Sequence, residues 1–117
     1  MTLFPSPSDP RDFPGRTLLP LPAEIDLSNA GALFTHVLSV TRARAGRLRV
    51  LVLDLTHTHF IDSQGVRMID DIHHSLLPDT EVRVVARPYE LPSRVLELTG
   101  LRRDVSVYDN LPEALTA

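Results

Sequence analysis

The sequence predicts an α/β fold, a small sandwich in which about four helices pack on a mostly parallel central sheet with an edge strand from the N-terminal region. Three observations carry this expectation. From Arg47 to the end, strand-like and helix-like segments alternate, and the rules of chain connection turn such alternation into parallel strands joined by right-handed crossovers. Residues 48–55 are rich in valine and leucine and nearly all apolar in their second half, as a central strand covered on both faces requires. Residues Ala30, Leu33, Phe34, Val37, Leu38 and Thr41 recur at the three-and-four spacing of one helical face. With 117 residues, 43% hydrophobic, and a mean hydropathy near zero, the chain can bury one core and not two.

The elements follow in order. Pro5, Pro7, Pro10, Pro14, Pro20 and Pro22 crowd the first 22 residues and exclude a helix or central strand there. Residues 1–15 are expected as a proline-rich arm, either disordered or a short edge strand, and residues 16–117 as the domain. Thr2-Leu3-Phe4 and Arg16-Thr17-Leu18-Leu19 can pair as a hairpin, with Pro20 and Pro22 restricting the second segment to an edge. A first amphipathic helix runs from Ser28 to near Gly46, ahead of the strand at 48–55. A second helix begins after Asp62-Ser63, with Val66, Ile69, Ile72, His73 and Leu76 on its apolar face and Arg67, Asp70, Asp71 and His74 on its polar one. Residues 81–86 form the next strand, broken by Pro88. Leu91, Val95, Leu96 and Leu98 mark a third helix, closed by Gly100, which tolerates a left-handed backbone, with Leu101 folding back. A short strand at 105–108 precedes a brief helix capped by Asn110, with Pro112 in its first turn and Glu113 three residues after the cap.

Composition excludes several functions. The net charge of -3, from 15 acidic and 12 basic side chains, is read as interspersed, so no direct nucleic-acid partner is expected. The absence of cysteine removes disulfides, thiolate metal sites and cysteine nucleophiles. Met1-Thr2-Leu3-Phe4-Pro5 lacks the pattern of a secretory signal, and no apolar run approaches the roughly 18 residues of a membrane span, so a cytoplasmic location without membrane association is expected. His36, His57, His59, His73 and His74 show no H-E-x-x-H or comparable ligand spacing, and no metal or other cofactor is expected. Asp62-Ser63-Gln64-Gly65 is not a G-x-S-x-G elbow, and no glycine-rich phosphate loop exists. An enzyme is therefore not expected, and any phosphoryl group must come from a partner.

Three blocks, in order, resemble the STAS domain of bacterial anti-sigma factor antagonists. Glu24-Ile25-Asp26-Leu27-Ser28 is similar to the family's segment before its first long helix. Leu51-Val52-Leu53-Asp54-Leu55 followed by Phe60-Ile61-Asp62-Ser63-Gln64-Gly65 resembles the central strand and signature loop. Val95-Leu96-Glu97-Leu98-Thr99-Gly100-Leu101, Val107-Tyr108 and Leu111-Pro112-Glu113-Ala114-Leu115 resemble the closing elements. The resemblance implies a phosphorylation site at Ser63 and a partner-binding face containing Asp26, Ser28, Asp62, Ser63, Gln64 and Gly65. It implies partner switching: the unphosphorylated antagonist captures an anti-sigma factor that is itself a serine kinase, frees a sigma factor, and lets go once phosphorylated, until a serine phosphatase resets it. The alternative is a non-switching scaffold or subunit of a sensory complex in which Ser63 is purely structural. The oligomeric state is left open.

The residues themselves allow two roles at several of these positions. Asp62 and Ser63 each suit the N-cap of the second helix, and Asp26 or Ser28 the cap of the first. A phosphate on Ser63 would add about -1.5 to -2 charges at the mouth of that helix, where free amides and the helix dipole are expected to receive it. Asp54 is expected to brace the loop. Ala23 stands where the family has glycine, and Gln64 where a small hydroxyl residue is usual. The added bulk and amide donors of Gln64 either select a particular kinase or weaken phosphorylation.

Overall fold

Val50–Asp54 is buried at every position, so both faces of this strand must be covered, and the chain builds its sheet around it. The computed structural model describes residues 9–116. In order it contains β1 (Arg11–Phe13), β2 (Arg16–Pro20), β3 (Glu24–Ile25), α1 (Ala30–Arg42), β4 (Val50–Asp54), β5 (Phe60–Ile61) and α2 (Ser63–Leu76). There follow β6 (Glu81–Val85), α3 (Leu91–Leu98), a 3-10 turn (Leu101–Arg103), β7 (Ser106–Tyr108) and α4 (Leu111–Thr116). The main sheet has the order β1-β2-β4-β6-β7, parallel throughout except for the antiparallel edge strand β1. This is the mostly parallel α/β sandwich with an N-terminal edge strand and four helices that the sequence predicts.

The two faces are covered unequally. Leu19, Leu51, Leu53, Val82 and Val84 point to one side, where Leu33 and Val37 of α1 and Ile69 and Ile72 of α2 complete the larger core. Leu18, Val52 and Val85 point to the other and meet Ala114, Leu111 and Leu115 of α4. Arg83, only 7% exposed, lies on this second face. It donates to the Ala114 carbonyl (2.8 Å) and to Glu81 (2.8 Å), and its guanidinium sits 5.8 Å from the Tyr108 ring centroid. The stem of a charged residue thus fills apolar space while its head closes the last helix onto the sheet.

Several expectations are corrected. The segment beginning at Arg16 is not an edge strand: β2 lies between β1 and β4. Pro20 is tolerated because the β1 ladder ends at the Arg11–Leu18 pair, so no partner at Pro20 waits for the missing amide. The hairpin partner of β2 is Arg11–Phe13, and Thr2-Leu3-Phe4 lies outside the described residues. In α3 the inward residues are Pro92, Ser93 and Leu96, leaving Leu98 85% exposed. Two residues beyond Leu96 is about 200° around a helix, so the two leucines cannot share a face. Val40 and Met68 join the core, whereas His73 and Leu76 are only half-buried. Gly100 does close α3 with a left-handed backbone (φ 80°), and Leu101 folds back into the core.

Candidate functional site

At the carboxyl ends of the parallel strands, two loops are stitched together by a ladder the sequence did not announce. Glu24 pairs with Phe60 and Ile25 with Ile61 in a two-stranded parallel sheet. The loop after β4 is fastened first, as Asp54 accepts from the Thr56 amide (2.8 Å) and the Thr58 hydroxyl donates to the Pro22 carbonyl (2.9 Å). His59 donates to the Ala23 carbonyl (2.7 Å), and Asp62 to that of Ile25 (3.1 Å). Because alternate residues of a strand face opposite ways, Ile25 and Ile61 turn inward while Glu24 and Phe60 face solvent.

Gly65 explains how close α2 comes to this ladder. A methyl group at that position would lie 2.6 Å from Ile61 Cγ1 and 2.9 Å from Ile25 Cγ2. Gly65 is buried, and its part in the site is to let the first turn of α2 seat against both isoleucines.

Asp62 is the N-cap of α2. Its Oδ1 accepts from the amides of Gln64 (2.9 Å) and Gly65 (3.0 Å), and its Oδ2 from the amide of Leu27 (3.3 Å), 35 residues away in sequence. One carboxylate therefore fixes the helix start and ties it to the turn before α1. Ser63, the first residue of α2, is exposed, and its hydroxyl makes no hydrogen bond among the described residues. Capping falls to Asp62 and not to Ser63. Two of the amides expected to be free for a phosphate, those of Gln64 and Gly65, are already held by the Asp62 carboxylate, so a phosphate on Ser63 would sit beside that charge and compete with it.

The turn before α1 is braced internally. Asp26 Oδ1 accepts from both the hydroxyl and the amide of Ser28, Asn29 Oδ1 accepts from the Asp26 amide (2.9 Å), and Asn29 Nδ2 donates to the Glu24 carbonyl (2.7 Å). The Ser28 hydroxyl, then its amide, hold the Asp26 carboxyl below the usual carboxylate range. The expected cap of α1 by Asp26 or Ser28 is not found. Asn29 occupies the N-cap position without a side-chain capping bond, because the side chains of Asp26 and Asn29 are spent on the turn itself.

Asp26, Ser28, Asp62, Ser63, Gln64 and Gly65 are thus brought to one end of the molecule. Two apolar residues join them that patterning assigned no surface role: Leu27, 75% exposed at the tip of the turn, and Phe60, 42% exposed on β5. Hydropathy alone places both in a core, and only the ladder register turns Phe60 outward. Beside Gln64, between the starts of α1 and α2, a shallow cavity of about 290 Å³ has Phe34 and Met68 in its floor and Arg67 and Asp71 on its rim. Among the described residues, no three histidine, aspartate or glutamate side chains gather as metal ligands, and no helix is long and apolar enough to cross a membrane.

Residues 9–114 match the STAS domain family. An anti-sigma factor antagonist from Mycobacterium paratuberculosis is 29% identical, with a TM-score of 0.81 over 95% of each chain. A proposed anti-sigma factor antagonist from Thermotoga maritima is 24% identical, with a TM-score of 0.77 over 92% of this chain and 90% of that one. The anti-sigma factor antagonist SpoIIAA in its unphosphorylated form shares the fold at 14% identity, with a TM-score of 0.67 over 92% and 91% of the two chains. No curated protein matches the chain.

Proposed function

The chain belongs to the STAS domain family, and on that premise we propose that it is an anti-sigma factor antagonist, a non-enzymatic binding protein of the cytoplasm. It captures an anti-sigma factor that is also a serine kinase, releases a sigma factor, and is switched off by phosphorylation of Ser63 until a serine phosphatase resets it. The general role is supported by the M. paratuberculosis antagonist, similar along nearly the whole of both chains. The observation that carries the switch is the exposed Ser63 hydroxyl at the first position of α2, beside a cap that does not need it.

The chemistry is simple. The Ser63 oxygen attacks the terminal phosphorus of ATP bound to the kinase, the bond to ADP breaks, and the hydroxyl proton passes to a base on the kinase. The product carries about -1.5 to -2 additional charges. Asp62 already holds the amides of Gln64 and Gly65, which leaves the new charge to face the partner. A surface fitted to a neutral hydroxyl then loses several kcal/mol, roughly a hundredfold or more in affinity. Leu27 and Phe60 supply apolar contact around the switch, and the cavity beside Gln64 offers a place for a partner side chain.

The scaffold alternative makes Ser63 a structural residue, whereas its hydroxyl supports nothing in the described hydrogen bonding. The experiment incubates the protein with candidate anti-sigma kinases and ATP and reads the intact mass. The mass of one phosphate is expected on the natural chain and not on Ser63→Ala, and Ser63→Asp should bind the anti-sigma factor far more weakly. If no kinase modifies the protein and Ser63→Asp binds normally, the switch is wrong and the scaffold stands.

A further inference from the structure

At the opposite, amino-terminal edge of the parallel strands, the fold gathers arginines that lie apart in the sequence. The turn between β1 and β2 and the connection from α1 to β4 meet there. Gly15 (φ 73°) and Gly46 (φ 86°) turn the two loops, and the Gly15 carbonyl accepts from the amides of Arg49 (2.9 Å) and Val50 (3.1 Å). Between them is an open cavity of about 540 Å³ whose lining includes Arg16, Arg47 and Arg49 and no carboxylate. Two adjoining depressions share Arg47 and bring Arg44 and Arg42 to the rim.

The nearby acids are mostly spent. Asp12, which lines one depression, is gripped by Arg44 Nε (2.6 Å) and Nη2 (3.0 Å), and Glu81 by Arg83 (2.8 Å). Asp79, on the rim of another depression, is the remaining acid among the linings. Among the described residues, Arg16, Arg42, Arg47 and Arg49 have no carboxylate at ion-pair distance. Arg16 Nε is buried and has no hydrogen-bond acceptor among those residues, so the described fold itself spends little of this guanidinium.

We propose that this cavity binds a small soluble molecule carrying two or more phosphates. Guanidinium forks match phosphate oxygens in pairs, and several cations with no carboxylate at ion-pair distance, Arg47 acting on Asp12 only from further away, favour a multiply charged anion over a carboxylate. The volume falls in the range of small-ligand sites, and a concave lining that includes three arginines suits a compact ligand. Because this edge lies across the sheet from Ser63, the site stands independently of the phosphorylation switch.

Titration calorimetry of the full chain with inorganic tripolyphosphate in low salt tests this. Saturable binding near one to one is expected, weakening as salt is raised. Arg47→Gln, at an exposed position, and Arg16→Gln should each lower affinity about tenfold or more, while Arg94→Gln on α3 leaves it unchanged. Urea unfolding of each variant separates loss of the site from loss of the fold. Phosphatidylglycerol vesicles form the second arm, since a lipid headgroup offers the same chemistry. Absence of saturable tripolyphosphate binding, an equal loss in Arg94→Gln, or binding to vesicles alone would overturn the proposal.

Discussion

Asp62 joins two jobs that are usually separate. As N-cap it satisfies two amides of α2, and through Leu27 it anchors the turn before α1. Asp62→Ala should therefore cost at least the ~0.5–2 kcal/mol of a lost cap, read as a lower urea midpoint. Asp62→Asn, which can cap as well, should cost less. Ser63→Ala should change stability by under about 0.5 kcal/mol, because its hydroxyl holds nothing. Asp12 offers a second test. Arg44, then the Thr17 hydroxyl, lower its carboxyl to about 2. A depressed folded value means that this pair's stabilisation is present above the ordinary carboxylate range, near ~3.9, and is lost as pH falls through about 2. NMR titration should find the low midpoint in the natural chain and an upward return in Arg44→Gln.

Among the elements, α2 and α4 are attached by opposite means. The start of α2 is seated by the absence of a side chain. Gly65→Ala drives a methyl into Ile61 and Ile25, and overpacking costs about 1–3 kcal/mol. The gain in helix propensity is at most about 1 kcal/mol, so the net effect is a loss. A lowered urea midpoint together with shifted amide resonances at Asp26–Asn29 would show it, and an unchanged midpoint would mean the ladder yields more easily than its packing implies. α4 is six residues long and is held by a reaching side chain. Arg83→Met leaves the Ala114 carbonyl without its donor, with an expected cost of about 1.5–3 kcal/mol. Hydrogen exchange should quicken in α4 before it does in β4.

The molecule as a whole stakes its stability on the central strand. Leu53 is fully buried in the larger core. Leu53→Ala should cost about 2–5 kcal/mol, a large part of the roughly 5–15 kcal/mol of a domain this size, and urea denaturation gives the value directly. The same sheet separates two ends of unlike character. Its carboxyl end carries Ser63 among carboxylates and exposed apolar residues, and its amino end carries the arginine-lined cavity.

The sequence by itself determined the alternation of strands and helices, the buried central strand, the glycine that closes α3 and the loop that holds Ser63, because these rest on periodicity and on residue types with local conformational preferences. The Asn110 cap was also legible, and the Glu113 amide does donate to its side chain (3.0 Å). Only the tertiary structure decided the interior place of β2, the outward face of Phe60 and the β3–β5 ladder. It also decided which residue caps α2, since both Asp62 and Ser63 suit a cap by residue type and the Gln64 and Gly65 amides donate to Asp62. The arginines needed it most. Scattered charges look neutralised along a chain, but a fold sums them in space, and here it pairs Asp12 with Arg44 and Glu81 with Arg83 while drawing Arg16 toward Arg47 and Arg49.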